Sequence, residues 1–274
     1  LLESLHHQTF KDWDLFIVDD CSDPPVNQNK QVMEWLMFLQ RHGHSVTVIR
    51  NPVRLMICKS RNEAIKADTT HEWCARIDDD SYADPEFFER LWGIAHGHLN
   101  AKQMEKGIRP EVAEIPLDKI GGVGGIVPYL ARVPYYLNSK KIKVFNKVEC
   151  DDNGNITKCE DDGHYHWHPS AILPSHHLRS SFLFRRQAVV DAGMHVENLG
   201  STGFREETLL CLRMMEKGWK LVTDTEAKLW HMPAMGEGRD WGGRKDEDLV
   251  ANNEAYFKKV TPPLLLKLKE MKAI

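Results

Sequence analysis

The sequence lacks an excess of either charge. Its 36 Lys and Arg stand against 40 Asp and Glu, for a net charge of −4. The isoelectric point is near 6.4. With no basic footprint, nucleic acid is not an expected partner. The sequence also lacks an apolar run long enough to span a bilayer and a recognisable signal peptide. The expected location is therefore the cytoplasm, with peripheral contact at the membrane face open to Pro262-Pro263-Leu264-Leu265-Leu266. A dinucleotide fingerprint is missing: Gly121-Gly122-Val123-Gly124-Gly125 has the wrong spacing, and no helix follows it. Six scattered cysteines make only a weak case for disulfides in a chain of this length. Residue 1 is Leu rather than Met, and a helix-like segment comes before any strand. A few residues are expected to be missing in front.

What is present is an ordinary globular composition. The chain has 274 residues, 42% of them hydrophobic, enough for one large domain or one with a long insertion. Trp13 to Val18 is rich in aromatic and branched residues and reads as a strand. Val32, Trp35, Leu36 and Leu39 carry helical spacing. Ser45 to Ile49 is a second strand, Ser60 to Ala67 a helix, and Trp73 to Ile77 a third strand, followed by a helix from Pro85 to about Leu99. Connections this long imply parallel strands with helices on both faces.

Two of these strands end in acids, at Asp19-Asp20 and at Asp78-Asp79-Asp80. Open α/β sheets bind ligands beyond the carboxyl ends of their strands. Clustered carboxylates repel unless a cation joins them, and a divalent metal is the natural partner. The competing reading is a helix start, a role suited to Asp84, which leaves Asp78, Asp79 and Asp80 without an account.

From about 99 to 177 the alternation breaks. Asp151-Asp152-Asn153-Gly154-Asn155 is a hairpin signal. The flanking Cys150 and Cys159 can face each other across it. His164, His166 and His168 alternate along one side of an extended segment. They offer a zinc site with Cys159 or, alternatively, a solvated polar loop. Regular structure resumes at Leu178, with a strand at 180–184, a helix from Glu206, and strand-like pieces at 220–223 and 227–231. Glycines beside Arg239 and Trp241 suggest either a closing loop or a plain connection.

In order and spacing these pieces resemble the GT-A glycosyltransferases, family 2 most closely. The resemblance rests on Leu5 to Thr9 with Trp13 to Ser22, Ser60-Arg61-Asn62, Ile77-Asp78-Asp79-Asp80 with Pro85, Phe204-Arg205-Glu206-Glu207 with Arg213 and Gly218, and Trp230-His231. It covers about 1–98 and 178–231. Cys21, Glu63 and Glu207 depart from the residues usual in the family, and the family's first, central strand is absent.

The resemblance implies a GT-A fold: a mostly parallel central sheet with helices on both faces and an inserted hairpin region, in one catalytic domain. It would comprise a nucleotide-binding half (1–98), an insertion (99–177), an acceptor and catalytic half with lid (178–245) and a helical tail (246–274). It implies a metal-dependent, inverting transfer from a nucleotide-diphospho-sugar, preferably UDP-linked, to a hydroxyl of a saccharide or other acceptor. Asp80, Asp78 and His231 would hold Mn2+ or Mg2+; Asp20, Asp19, Arg61 and Asp78 would contact the donor nucleotide. Glu207, with Glu206 in reserve, would be the base, and Arg239 and Trp241 a lid. Two alternatives stand: a nucleotidyltransferase of related fold and a catalytically silent carbohydrate-binding domain.

Overall fold

The structure is a computed structural model that describes residues 1–99, 103, 110–128, 143–161, 170–199, 203–232 and 246–274. Arg239, Trp241, His164, His166 and His168 lie outside the described residues.

The first third follows the expected alternation. The short helix α1 (Leu2–His6) precedes β1 (Leu15–Asp19), α2 (Lys30–Arg41), β2 (Val46–Arg50), α3 (Met56–Ala67) and β3 (Trp73–Arg76). Asn29 caps α2 by accepting from the Val32 amide, 3.2 Å away, which satisfies one of the donors a helix start leaves open. β1 and β2 pair in parallel, Leu15 opposite Val46 through Asp19 opposite Arg50. The chain then turns at Asp79-Asp80 into β4 (Ser81–Ala83) and enters α4 (Phe87–His96). Gly97 stops α4 with φ +71°, the left-handed end that glycine adopts without strain. Asp84 does not cap this helix through its side chain: its Oδ1 accepts from the Trp230 indole at 2.8 Å.

The main sheet is mixed rather than mostly parallel. It has six strands in the order β3-β9-β5-β10-β4, with β8 (Ile172–Pro174) beside β10. β5 (Ile120–Ile126) and β10 (Lys220–His231) are parallel. β9 (Phe182–Arg185) runs antiparallel to both β3 and β5. The crossover helix needed to bring the chain back in parallel is available in front of β2 and β3, but β9 is reached through the inserted hairpin.

Helices cover both faces of this sheet, as expected. Phe182, Phe184 and Leu221 pack with α5 (Arg186–Asp191), α6 (Glu206–Glu216) and the tail helices α7 (Asp246–Val260) and α8 (Pro262–Glu270). The alternate residues Leu183 and Val222 pack with α4, the two-residue period of a strand. β5 is buried throughout. A Cβ at Gly125 would lie 2.2 Å from the Ala227 carbonyl oxygen and 2.9 Å from the Phe87 ring, so glycine lets β5 approach β10 closely.

The hairpin appears as β6 (Val148–Cys150) and β7 (Ile156–Cys159), but its cysteines do not face each other. Cys159 stands opposite Val148, Cys150 stands opposite Ile156, and the register shifts between Glu149 and Cys150. Both thiols are free. That register overturns the disulfide reading.

Among the described residues no strand joins the β1–β2 pair to the main sheet. Between β1 and β3 lies a cavity of about 1700 Å³, lined by Leu15 to Asp20, Trp73 to Asp79 and side chains of α2, α3 and α4.

Candidate active site

The site gathers at the carboxyl end of β3 and is built from segments far apart in sequence. Antiparallel pairing of β4 with β10 sets His231 opposite Ser81, and the Met232 amide donates to the Asp80 carbonyl at 2.7 Å. This register delivers the His231 side chain to Asp80, 151 residues away in sequence: Nε2 lies 2.8 Å from Oδ2. A carboxylate oxygen and an imidazole nitrogen side by side, neither fully buried, make a donor pair that suits a divalent cation tolerant of nitrogen.

Asp78 faces elsewhere. Its Oδ1 takes a hydrogen bond from Arg61 Nη2 at 2.7 Å. Arg61 also reaches Glu206, at the start of α6, so one guanidinium of α3 ties the strand end to the helix expected to carry the base. Asp79 is exposed and faces the cavity.

The acids after β1 are committed to local structure. Asp19 is buried. Its carboxylate accepts from the Ser22 amide at 2.8 Å and the Val26 amide at 3.1 Å, and pairs with Arg50. Burial would raise its pKa, but these bonds outweigh burial and hold it at about 2. Asp20 accepts from Asn51 at 2.8 Å and from the Leu55 and Met56 amides at 2.7 and 2.8 Å. It thus anchors the entry to α3, where Met56 adopts φ +70°. Asp19 and Asp20 line the same cavity as Arg61, Asp78 and Asp79.

Glu206 and Glu207 open α6, and both are shielded. Glu206 sits among Arg61, Arg76 and His195: Arg76 Nη1 is 2.7 Å from Oε1, and His195 Nδ1 is 2.6 Å from Oε2. Burial acts against its charge, but the two arginines and the histidine overcome it and hold the carboxyl well below the usual range. Glu207 is raised instead, first by burial and then by the Glu206 charge beside it. Arg76 Nη2 donates to Glu207 Oε1 at 3.2 Å. A carboxyl raised in this way is what a general base working near neutral pH requires.

Arg76 and His195 went unnoticed in the sequence. Arg76 is the residue just before the Ile77-Asp78 strand end, a position that reads as core. His195 follows a glycine turn with no motif around it. A cation two residues ahead of an acidic strand end was the one available signal.

Cys58, His195 and Glu206 bring three donor atoms within 4.8 Å of one another, all buried. Burial, with the Glu206 charge next, pushes the Cys58 thiol up to about 12, whereas a metal takes the thiolate. With two guanidiniums already on Glu206, this cluster does not fit a cation. Cys159 contacts Arg205 Nη1 at 3.1 Å. No helix among the described residues is long and apolar enough to cross a membrane.

Residues 1–101 match the glycosyl transferase family 2 model. A curated relative from Haemophilus influenzae, an uncharacterized glycosyltransferase, is 35% identical over 100 residues, which is 36% of this chain and 30% of that protein. The chain spans well under half the length of this relative. Among solved structures, S. aureus TarS 1-349 in complex with UDP-GlcNAc superposes with a TM-score of 0.55 at 14% identity, over 92% of this chain and 59% of that one. GalNAc-T7 with UDP, GalNAc and Mn2+ gives 0.55 at 13% identity, over 88% and 42%. At such identity the structural likeness shows the fold. The chain thus has the GT-A fold, and its first 101 residues match the glycosyl transferase family 2 model.

Proposed function

We propose that this protein is a metal-dependent, inverting glycosyltransferase that moves a sugar from a UDP-sugar to a hydroxyl of a saccharide or other acceptor. The observation that carries this reading is the convergence on one strand end of Asp80 with His231, and of Asp78, through the Arg61 and Arg76 guanidiniums, with Glu206 and Glu207. Of the two solved structures named above, one holds UDP-GlcNAc and the other UDP, GalNAc and Mn2+, which favours uridine and a divalent cation here.

Asp80 and His231 would hold the cation, with Asp78 turning to it from Arg61. When bound, the metal supplies positive charge against the leaving diphosphate. Glu207 takes the proton of the acceptor hydroxyl. The acceptor oxygen then forms a bond to the anomeric carbon as the bond to the diphosphate breaks, its electron pair leaving with the nucleotide. A single candidate base, with no candidate nucleophile opposite it among the described residues, supports inversion.

A panel of UDP-, GDP- and dTDP-sugars with and without Mn2+, read by thermal shift and by release of nucleoside diphosphate, tests this. A UDP-sugar is expected to stabilise the protein in a Mn2+-dependent way, and Asp80→Ala to abolish that dependence. Unchanged turnover in Asp80→Ala would remove the metal role. Stabilisation by nucleoside triphosphates alone would favour a nucleotidyltransferase.

A further inference from the structure

One buried cation of that cluster has been given no chemical task. Arg76 ends β3 and is 8% exposed, yet its guanidinium lies among three carboxylates. Nη1 is 2.7 Å from Glu206 Oε1, and Nη2 is 3.2 Å from Glu207 Oε1 and 3.8 Å from Asp78 Oδ1. Neutralising Glu206 does not by itself require Arg76, because Arg61 and His195 already pair with that carboxylate. Nor is Arg76 aligned on Glu206: despite the short separation Nη1 makes no hydrogen bond, and Nε has no partner either. Its aligned bond goes to Glu207. Among the described residues this is the one hydrogen bond to the Glu207 carboxylate. A buried guanidinium is tolerated at such a cost where its charge is needed.

The geometry of that bond leaves Glu207 Oε2 unclaimed. Fixing Oε1 on a rigid strand end sets the direction in which Oε2 can accept a proton. The same Nη2 faces Asp78 on the donor side, so one nitrogen sits between the two ends of the site. Glu207 is otherwise faced by Glu206 on its own helix, by Arg61 from α3 and by Arg179 from the segment before β9. Of these only Glu206 opposes its ionisation.

We propose that Arg76 is a positioning residue that orients the Glu207 carboxylate toward the acceptor and links it to Asp78 at the donor end. This rests on the reading of Glu207 as the base. The Arg76→Met variant removes the charge and keeps the volume; Arg76→Lys keeps the charge and loses the fork. Both are assayed for Mn2+-UDP affinity and for hydrolysis of whichever UDP-sugar the panel selects, across pH. Glu207→Gln serves as the control.

Arg76→Met is expected to hold Mn2+-UDP affinity within about twofold and to lower kcat by about 100-fold, the range for a displaced catalytic group. Its acid limb should move to higher pH, because Glu207 loses a cation that favours its charge. Arg76→Lys should recover part of the rate and shift the limb back, and added guanidinium ion should raise the rate of Arg76→Met. Where Arg76→Met does not fold, Arg76→Lys is read alone, with reduced kcat and unchanged UDP affinity expected. Equal loss in both variants with an unmoved acid limb would show a merely structural arginine and overturn the proposal. Full activity of Glu207→Gln would overturn the base reading first, and the role of Arg76 with it, while Mn2+-UDP binding would survive.

Discussion

Glu206 and Glu207 are sequence neighbours, both shielded, and their carboxyls are driven in opposite directions. Burial raises both, but Glu206 has two guanidiniums and an imidazole within reach, whereas Glu207 has one hydrogen bond and a like charge beside it. The stability consequences have opposite signs. Folding depresses Glu206, so its contribution is present above its unfolded pKa and lost as pH falls through the lower folded value. Folding raises Glu207, so its contribution favours the fold below the unfolded pKa and is lost as pH rises through the folded one. Glu206→Gln leaves Arg61 and Arg76 undercompensated and is expected to cost about 3 kcal/mol, measured by urea denaturation at neutral pH, with the deficit shrinking in acid. Glu207→Gln is expected to be neutral or stabilising above the raised pKa. It should lower turnover by at least about 100-fold, and the wild-type rate should fall in acid along a limb lying above the ordinary glutamate range. A Glu207→Gln variant less stable than Glu206→Gln at neutral pH would contradict this division of roles.

Elements were legible where local pattern decides them. The apolar spacing of α2 and α6 and the branched residues of β1 and β2 declare themselves over a few residues. Pairing does not, because a strand's partner is chosen by the whole fold. β3 read as parallel and is antiparallel to β9, and β10 read as two pieces where one strand runs from Lys220 to His231. The hairpin was legible from its turn, but its register was not: the pairing of Val148 with Cys159 leaves Cys150 opposite Ile156. In the site, Asp78, Asp80, Glu207 and His231 carried pattern, while Arg76 acquires meaning through Glu207, 131 positions away, and His195 through Glu206 on the next helix. The glycine run of β5 declared a strand without saying what needed the glycines. Contact with the Ala227 carbonyl supplies the reason. Gly125→Ala is therefore expected to destabilise by about 1–3 kcal/mol through overpacking, seen as a lower urea midpoint with unchanged slope. An unchanged midpoint would mean that β5 and β10 separate without cost.

At the scale of the whole molecule the cavity between β1 and β3 decides how the two sheets act together. Among the described residues β1 pairs with β2 and β3 with β9, and no ladder crosses between β1 and β3. The facing edges therefore carry backbone donors and acceptors outside any ladder, a costly state when shielded from water. The walls carry apolar side chains, Phe16, Ile17 and Val18 on one side and Trp73 and Ala75 on the other, with Trp35, Phe38 and Trp92 from the helices, and acids such as Asp14, Asp20 and Asp78 among them. One further strand would satisfy both edges and join the β1–β2 pair to the main sheet. It would also brace the strand ends that present Asp20 and Asp78, on which the proposed donor site depends. A Val- and Ile-rich extended segment of about six residues, fused ahead of Leu1 through a flexible linker, is expected to insert there. The thermal midpoint should rise, and the amides of β1 and β3 should become protected from hydrogen exchange, whereas the same fusion with a central proline should do neither. A gain in Mn2+-UDP affinity should accompany protection, because both acidic strand ends would then belong to one rigid sheet. Unprotected β1 and β3 amides in the fused protein would show that the cavity does not accept a strand.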